Sequence, residues 1–519
     1  MTVPALYQTP TGEFVALSRQ LGDNSPERRE RAARGSDTLP FMPPKSGDIL
    51  ELDIDTLAYG GQGVARHEDF VVFVRRAVPG DRVRAQVVKK KRRYAEAKLL
   101  DLLSASPLRV PAPCGHEESC GGCEWQTIDY AAQLEFKQRQ VAESLAHIGG
   151  LTGFEIEPIR GMDVPWRYRN KMEFSFGVGD DGELLLGLHK RGSWREVSET
   201  ADIWLAPEDV NRARQAVATA CRALGLPAYS QATHQGLLRH LVVRKGFATG
   251  DLLLNLFVTS RFPQEEELAA RVAVEQPFTS FAVTVNETRA DAAVGVGPFM
   301  VVGPPSFGEE ILGVKLRVPA LGFLQTNGVM VGTLYEAALR FAAPAAKRSA
   351  YDLYCGIGAI SLLLARHAAY VHGVEIVDDA VAAARENARL NGIDNVTFAA
   401  GDVRKQLLRP AAAGTEPTTD TEPTTGTETT TGTETTTAGG SPPAVVVTDP
   451  PRAGMAKKSV ERMAALAAER IVYVSCNPTT LAANAAQLAT LGYRLARVAP
   501  VDMFPQTHHI EVVALFERV

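Results

Sequence analysis

AYDLYC (350–355), GIGAISLLLARHA (356–368), YVHGVEI (370–376), VDDAVAAARENARLNGI (377–393) and NVTFAAGDV (395–403) follow one another almost without a break. Short apolar runs alternate with segments of helical period, and glycines or acids mark the joins. The series resumes at AVVVTDPP (444–451), RIVYVSCNP (470–478) and HIEVVALFERV (509–519). Alternation of this kind over residues 326–519 predicts a doubly wound, Rossmann-like α/β sheet whose ligand crevice opens at the carboxyl ends of the strands. The residues at those ends decide the function.

One low-complexity segment interrupts the alternation. Residues 414–443 repeat Thr, Glu and Gly with no aromatic or large aliphatic side chain, so they cannot bury enough surface to offset their ordering entropy, and a disordered insertion is expected. Its five acids (Glu416, Asp420, Glu422, Glu428, Glu434) account for the whole formal charge of −5. Net charge therefore neither excludes nor supports a polyanionic partner, and local clustering must decide.

Outward towards the N-terminus, residues 106–325 mix strand-like runs such as HLVVRKG and DLLLNLFV with a helix expected at about 130–148, and read as a central α+β domain. Residues 44–105 carry short alternating runs punctuated by Gly60, Gly61, Gly63 and Pro79-Gly80, the spacing of a five-stranded OB-like β-barrel. Residues 1–43 are polar and lack an apolar period, which suggests a flexible leader. With 519 residues the chain has room for these three domains. No apolar run reaches 18 residues, no secretory signal opens the chain, and six unevenly spaced cysteines are too few for a disulfide scaffold. A cytoplasmic protein with no membrane partner is the expectation.

At the first strand end, Gly356 and Gly358 allow close backbone approach to a ligand, but Ser361 stands where a dinucleotide-binding turn would place a third glycine. Glu375 ends the second strand, where a carboxylate can accept from two ribose hydroxyls, and Asp402 ends the third, within reach of an adenine amino group. A glycine turn followed by two strand-end acids fits S-adenosylmethionine better than NAD; the competing explanation is acids that only cap helices. Asp449, held between a buried strand and Pro450-Pro451, faces the crevice where a base or the cofactor would lie.

Cys476 follows the next strand. A free cysteine there is either a small buried hydrophobe or a nucleophile, and Glu511, which opens the last strand, bears on the choice. Carbon 5 of uracil is a poor nucleophile until a thiolate adds at carbon 6 and makes the ring an enolate. A base must then remove the carbon 5 proton before the thiolate leaves. A thiol and a carboxylate at neighbouring strand ends supply both functions.

FLQTN (323–327), DLYCGIG (352–358), DPPR (449–452), SCNP (475–478) and HHIE (508–511), in this order, resemble the RNA uracil-5-methyltransferases, and GGQGVAR with VPGDRV in the front barrel is similar to the TRAM domain many of them carry. The resemblance covers about residues 44–519. It implies Cys476 as nucleophile and Glu511 as proton acceptor, with Gln325, Tyr354, Glu375 and Asp449 at the cofactor site and Asp402 as a weaker carry-over. Ala359 stands where the family often has Asn. The implied partner is structured RNA, with ribosomal RNA ahead of tRNA because some tRNA-directed relatives lack the front domain, and no protein partner is implied. The alternatives are a tRNA-directed enzyme and an RNA-binding or remodelling protein whose cofactor domain has lost activity.

Cys114, Cys120 and Cys123 have ligand-like spacing. In iron–sulfur members of the family a fourth cysteine follows in the central domain, and its apparent position here holds Ile203. Three readings stay open: a [4Fe-4S] cluster with a non-cysteine or remote fourth ligand, a zinc site completed by a residue such as His116, or a remnant with free thiols. His508-His509 points to a metal less strongly, since neighbours on a strand face opposite ways. For RNA contact, Lys89, Lys90, Lys91, Arg92 and Arg93 beside Tyr94 offer charge next to an aromatic, although such a run is usually a solvated face. Trp166 to Lys171 and His189 to Arg191 add further candidates. The target base is expected to be flipped out of a loop.

Overall fold

The computed structural model describes residues 6–8, 14–16, 43–68, 70–116, 119–193, 195–343, 348–407 and 442–519. Nearly all of the expected leader and insertion lie outside these residues. Within the leader span, Leu6–Gln8 pairs antiparallel with Phe14–Ala16.

Five strands, Ile49–Leu57, Gly63–His67, Phe70–Arg75, Arg82–Lys90 and Tyr94–Ser104, close into a barrel in the order first, second, third, fifth, fourth. Alternate residues of the first strand point inward, and Leu52 and Ile54 meet Val72, Val74, Val83, Ala85 and Ala97 in one core. Gly80 turns the chain back at a φ of 90°, so the Pro-Gly signal did locate a real corner.

The central sheet has seven strands in the order Val197–Ser198, Leu184–His189, Lys171–Val178, Leu238–Lys245, Leu252–Val258, Ser280–Val285, Val296–Val302. Helices Glu208–Ala223 and Glu265–Glu275 cover one face with Val210, Val217, Leu268 and Val272.

The C-terminal sheet is built from β1 (Ser349–Leu353), β2 (Tyr370–Glu375), β3 (Val396–Ala400), β4 (Val445–Thr448), β5 (Arg470–Ser475), β6 (Tyr493–Val501) and β7 (Glu511–Arg518). The order is β3-β2-β1-β4-β5-β7-β6, parallel except for β7, which runs antiparallel to both neighbours. Val445–Val447 are buried on both faces, as a central parallel strand requires.

The span 106–325 is not one unit. Glu155–Ile156 adds an eighth strand beside β6, and Arg340 and Arg497 both bind Glu157, at 2.7 and 2.6 Å. Helix Tyr130–Glu143, continued by a π turn over Ser144–Ile148, packs Val141 and Leu145 against Leu481, Ala485 and Leu488 of helix Pro478–Thr490. The hairpin Ser306–Ile311 with Val314–Pro319 places Phe307, Leu316 and Val318 in the same core as Leu362 and Val371. Burial of their apolar faces, not their place in the chain, assigns these segments to the C-terminal domain.

Candidate active site

The strand register sets the site. Leu353 pairs with both Val374 and Thr448, so Tyr354, Glu375 and Asp449 are the next residues out from three adjacent parallel strands. Ser475 pairs with Val512 in the antiparallel step. The next positions along that register are Cys476 and Glu511, one from each strand. Sheet pairing thus brings Glu375, Tyr354 and Asp449 to one level and Cys476 and Glu511 to another two residues further out, since Thr448 pairs with Tyr473.

At the cofactor end, Tyr354, Gly356 and Gly358 take positive φ of 63°, 53° and 85°. A Cβ at Gly356 would meet nothing within 4 Å, so the turn faces open space. Glu375 accepts from Gly356 N–H at 3.1 Å and from Ile376 N–H at 2.7 Å, which fixes its carboxylate at the rim, and Ile376 is 62% exposed beside it. A glycine cradle, an anchored acid and an exposed aliphatic fit a nucleoside-bearing cofactor. Gln325 donates from Nε2 to Asp449 Oδ2 at 3.0 Å, and Asn170 Nδ2 holds the Gln325 carbonyl at 2.8 Å. Asp402 differs from the others. It caps helix Val403–Gln406 and binds the Arg404 guanidinium at 2.5 Å, a bond that holds its carboxyl at about 2. Its side chain is occupied by that cap, as the helix-capping explanation requires.

At the reaction end, Cys476 is half-buried and Glu511 is 3% exposed. Burial raises the thiol to about 12; Glu511 and Asp449 add to the rise and Arg452 opposes it. Burial also raises Glu511 well above the usual carboxylate range, Asp449 adds to the rise, and Arg452 again opposes it. Burial brings Asp449 to about 7 despite the Gln325 bond. Two acids and a thiol thus compete for ionisation around one cation. Glu511 Oε2 is buried without a hydrogen-bond partner, a cost of the order of 1–3 kcal/mol that a substrate contact would relieve. Arg452 closes the DPPR motif, and its position after two prolines at a strand end is the signal for it in the sequence.

His508 and His509 lie in the loop before β7, so the strand argument does not apply. Their ring centroids are 4.1 Å apart. His508 Nδ1 is 2.7 Å from Glu124 Oε2, and His509 Nδ1 accepts from Arg452 at 2.7 Å. Burial, with His508 and Arg452 adding to it, lowers His509 to about 2, so a neutral imidazole orients the Arg452 guanidinium.

Cys114, Cys120 and Cys123 line one small pocket whose far wall is Leu188, Ile203 and Trp204. Ile203 is 5% exposed and cannot ligate. Asp202, also at this pocket, is held bidentately by Arg167 at 2.5 and 2.6 Å. Among the described residues no group of three or more His, Cys, Asp or Glu is placed to hold a metal. Among the described residues no fourth thiolate stands beside these three, and no step of the chemistry is assigned to them.

Several expected RNA contacts are structural. Tyr94 is buried, packed edge-on against Phe73 at 5.4 Å, so it cannot stack on a base from the barrel surface. Tyr168 is buried and donates to the Pro505 carbonyl at 2.9 Å. Arg167 lies over Trp204 at 5.1 Å, and Arg191 donates to the Cys120 carbonyl. Lys89, Lys90, Arg92 and Arg93 are exposed and Lys91 is half-buried at the turn between the last two barrel strands.

Comparison with known proteins places this arrangement. Residues 443–519 match the tRNA (Uracil-5-)-methyltransferase family, residues 44–100 the TRAM domain and residues 346–411 a methyltransferase domain. A relative from Halalkalibacterium halodurans described as an RNA methyltransferase is 36% identical over 92% of this chain and 98% of its own length. One from Gloeobacter violaceus, with the same description, is 37% identical over 91% and 97%. The fold is shared with the tRNA (uracil-54, C5)-methyltransferase of Pyrococcus abyssi, with a TM-score of 0.69 at 22% identity over 90% of this chain and all of that one. The chain is a TRAM-bearing member of the RNA uracil-5-methyltransferase family.

Proposed function

We propose that the protein methylates carbon 5 of a uridine in structured RNA, ribosomal RNA before tRNA, through a covalent adduct of Cys476 with S-adenosylmethionine as methyl donor. The observation that carries this reading is the register that sets Cys476 opposite Glu511, with Asp449 one strand away. The glycine turn at 356–358, Tyr354 and Glu375 would hold the cofactor, with Gln325 and Asp449 at its reactive end. When bound, the cofactor supplies an electrophilic methyl group on a sulfonium.

Cys476 loses its proton to solvent and its sulfur bonds to carbon 6. The ring electrons move onto the carbonyl oxygen as an enolate, which makes carbon 5 nucleophilic towards the methyl group. Glu511 then takes the proton from methylated carbon 5, the sulfur–carbon bond breaks, and the carbon 5–carbon 6 double bond returns with the thiolate. A carboxyl raised by burial is the stronger base for that step. Arg452, which favours both anions, permits each to exist in turn.

Replacement Cys476→Ala should abolish methylation and retain RNA binding. Glu511→Gln should trap a protein–RNA adduct that survives a denaturing gel. Absence of adduct together with full activity in Cys476→Ala would remove the mechanism. Mapping of 5-methyluridine in ribosomal RNA and tRNA from a strain lacking the gene identifies the substrate: a site lost only from tRNA would replace ribosomal RNA.

A further inference from the structure

The turn between the first two barrel strands, residues 58–62, packs against Trp125 and the loop at His508 that precedes Glu511. It is closed on itself by Ala58 N–H to the Gln62 carbonyl and Gly61 N–H to the Ala58 carbonyl, both at 2.9 Å. Gly60 and Gly61 take φ of 103° and 86°, a region that glycine enters without strain. Gly61 is also pressed against its surroundings: a Cβ there would stand 3.0 Å from Trp125 Nε1 and 3.2 Å from His508 Cβ. Gln140 Nε2 donates to the carbonyls of Leu57 and Ala58, each at 3.3 Å. The tip is thus clamped onto the loop that leads into Glu511.

Tyr59 stands at this tip, half-buried, and no part of the chemistry assigned so far uses it. Its phenol lies within electrostatic reach of Arg452, Cys476 and Glu511 together. We infer that Tyr59 is a substrate-contacting residue lent by the barrel: its ring walls the pocket that receives the flipped uridine, and its hydroxyl donates to a carbonyl oxygen of that base. The inference rests on the uracil reading above. Burial, with Cys476 and Glu511 adding to it and Arg452 opposing it, raises the phenol above its ordinary value, so it stays protonated and can serve as a donor but not as a base. A uracil carbonyl gains negative charge as carbon 6 accepts the thiolate, so a fixed donor there strengthens during addition. An aromatic wall also suits a base taken out of its stack.

The test uses the full chain and the RNA transcript that the wild-type protein methylates. Tyr59→Phe keeps the ring and should lower kcat roughly 10-fold with KM within about two-fold, as expected for loss of one hydrogen bond made mainly in the transition state. Tyr59→Ala should lower kcat/KM roughly 100-fold. In a Glu511→Gln background both variants should slow adduct accumulation by matching factors while their melting temperatures stay at the parent value. Wild-type kcat and KM in Tyr59→Phe would overturn the hydroxyl contact. Losses in both variants that track a lowered melting temperature would overturn the inference in favour of a structural clamp. In either of these outcomes the wild-type protein still methylates uridine, whereas a wild-type chain that forms no 5-methyluridine and no adduct removes the site reading itself.

Discussion

The chemistry proposed for Cys476 depends on a neighbour that carries no chemistry of its own. Burial, with Glu511 and Asp449 adding to it, raises the thiol to about 12, and Arg452 is the charged group that opposes the rise. His509, neutral at physiological pH, fixes the guanidinium at 2.7 Å. Replacement Arg452→Gln removes the opposing charge, so the thiol moves higher and the thiolate fraction at a given pH falls about tenfold per unit. Single-turnover methylation near pH 8 should drop on the order of 10- to 100-fold, and the rate should climb with pH over a more alkaline range than in the wild type. A variant with the parent pH profile would show that Arg452 does not govern the thiol. That Cys476 and Glu511 stand at neighbouring strand ends was legible in the sequence because each adjoins an unmistakable strand. Their electrostatic setting was not, because Asp449 and Arg452 come from the loop after another strand and Tyr59 from another domain, and they meet the thiol and Glu511 only in the folded chain.

At the level of elements, β1 and the turn after it combine a carboxyl and a glycine cradle. Asp352 is 1% exposed and accepts from Ser361 Oγ at 2.5 Å across the turn. Burial raises it to about 7 although the serine bond opposes the rise. An unfolded aspartate ionises near 3.9, so between about pH 4 and 7 the folded chain holds a proton that the unfolded chain has released, and stability falls as pH rises through that window. At about 1.4 kcal/mol per unit the loss is bounded on the order of 4 kcal/mol. Asp352→Asn keeps an acceptor for Ser361 and does not titrate. It should melt above the wild type at pH 8 and converge with it near pH 4; equal melting curves across that range would show that Asp352 is ionised in the fold. The serine that argued against a dinucleotide turn thus has a structural partner. The strand–helix alternation was legible because parallel strands read as continuous apolar runs. Glu155–Ile156 was not, because two residues carry no period, and neither was the packing of the hairpin at 306–319, because its partners, Leu362 and Val371, are distant in sequence.

On the scale of the molecule, the barrel meets the loop before Glu511 through the turn at 58–62 and presents a separate basic corner to solvent. Lys89 to Arg93 join the last two barrel strands, with Lys89 3.8 Å from Glu96 and its side chain still 55% exposed. The sequence pairs this run with Tyr94 as a stacking platform, but Tyr94 is buried against Phe73 in a cluster with Ala58, Val64 and Val71, on the strand face opposite Ala95 and Ala97 of the barrel core. What the corner retains is charge, which attracts phosphate without reading sequence. Neutralising the five positions to Gln should therefore weaken RNA binding at low salt and flatten its salt dependence, each lost phosphate contact removing ~0.7–0.9 from the slope of log affinity against log salt. Cofactor binding, which is proposed to rest on the glycine turn and Glu375 in another domain, should not change, and neither should the rate from a saturated complex. Titrations of wild type and variant at several salt concentrations, read together with single-turnover rates, separate the two roles: a slope equal to that of the wild type would mean that this corner does not touch the RNA and that the barrel acts through its turn alone.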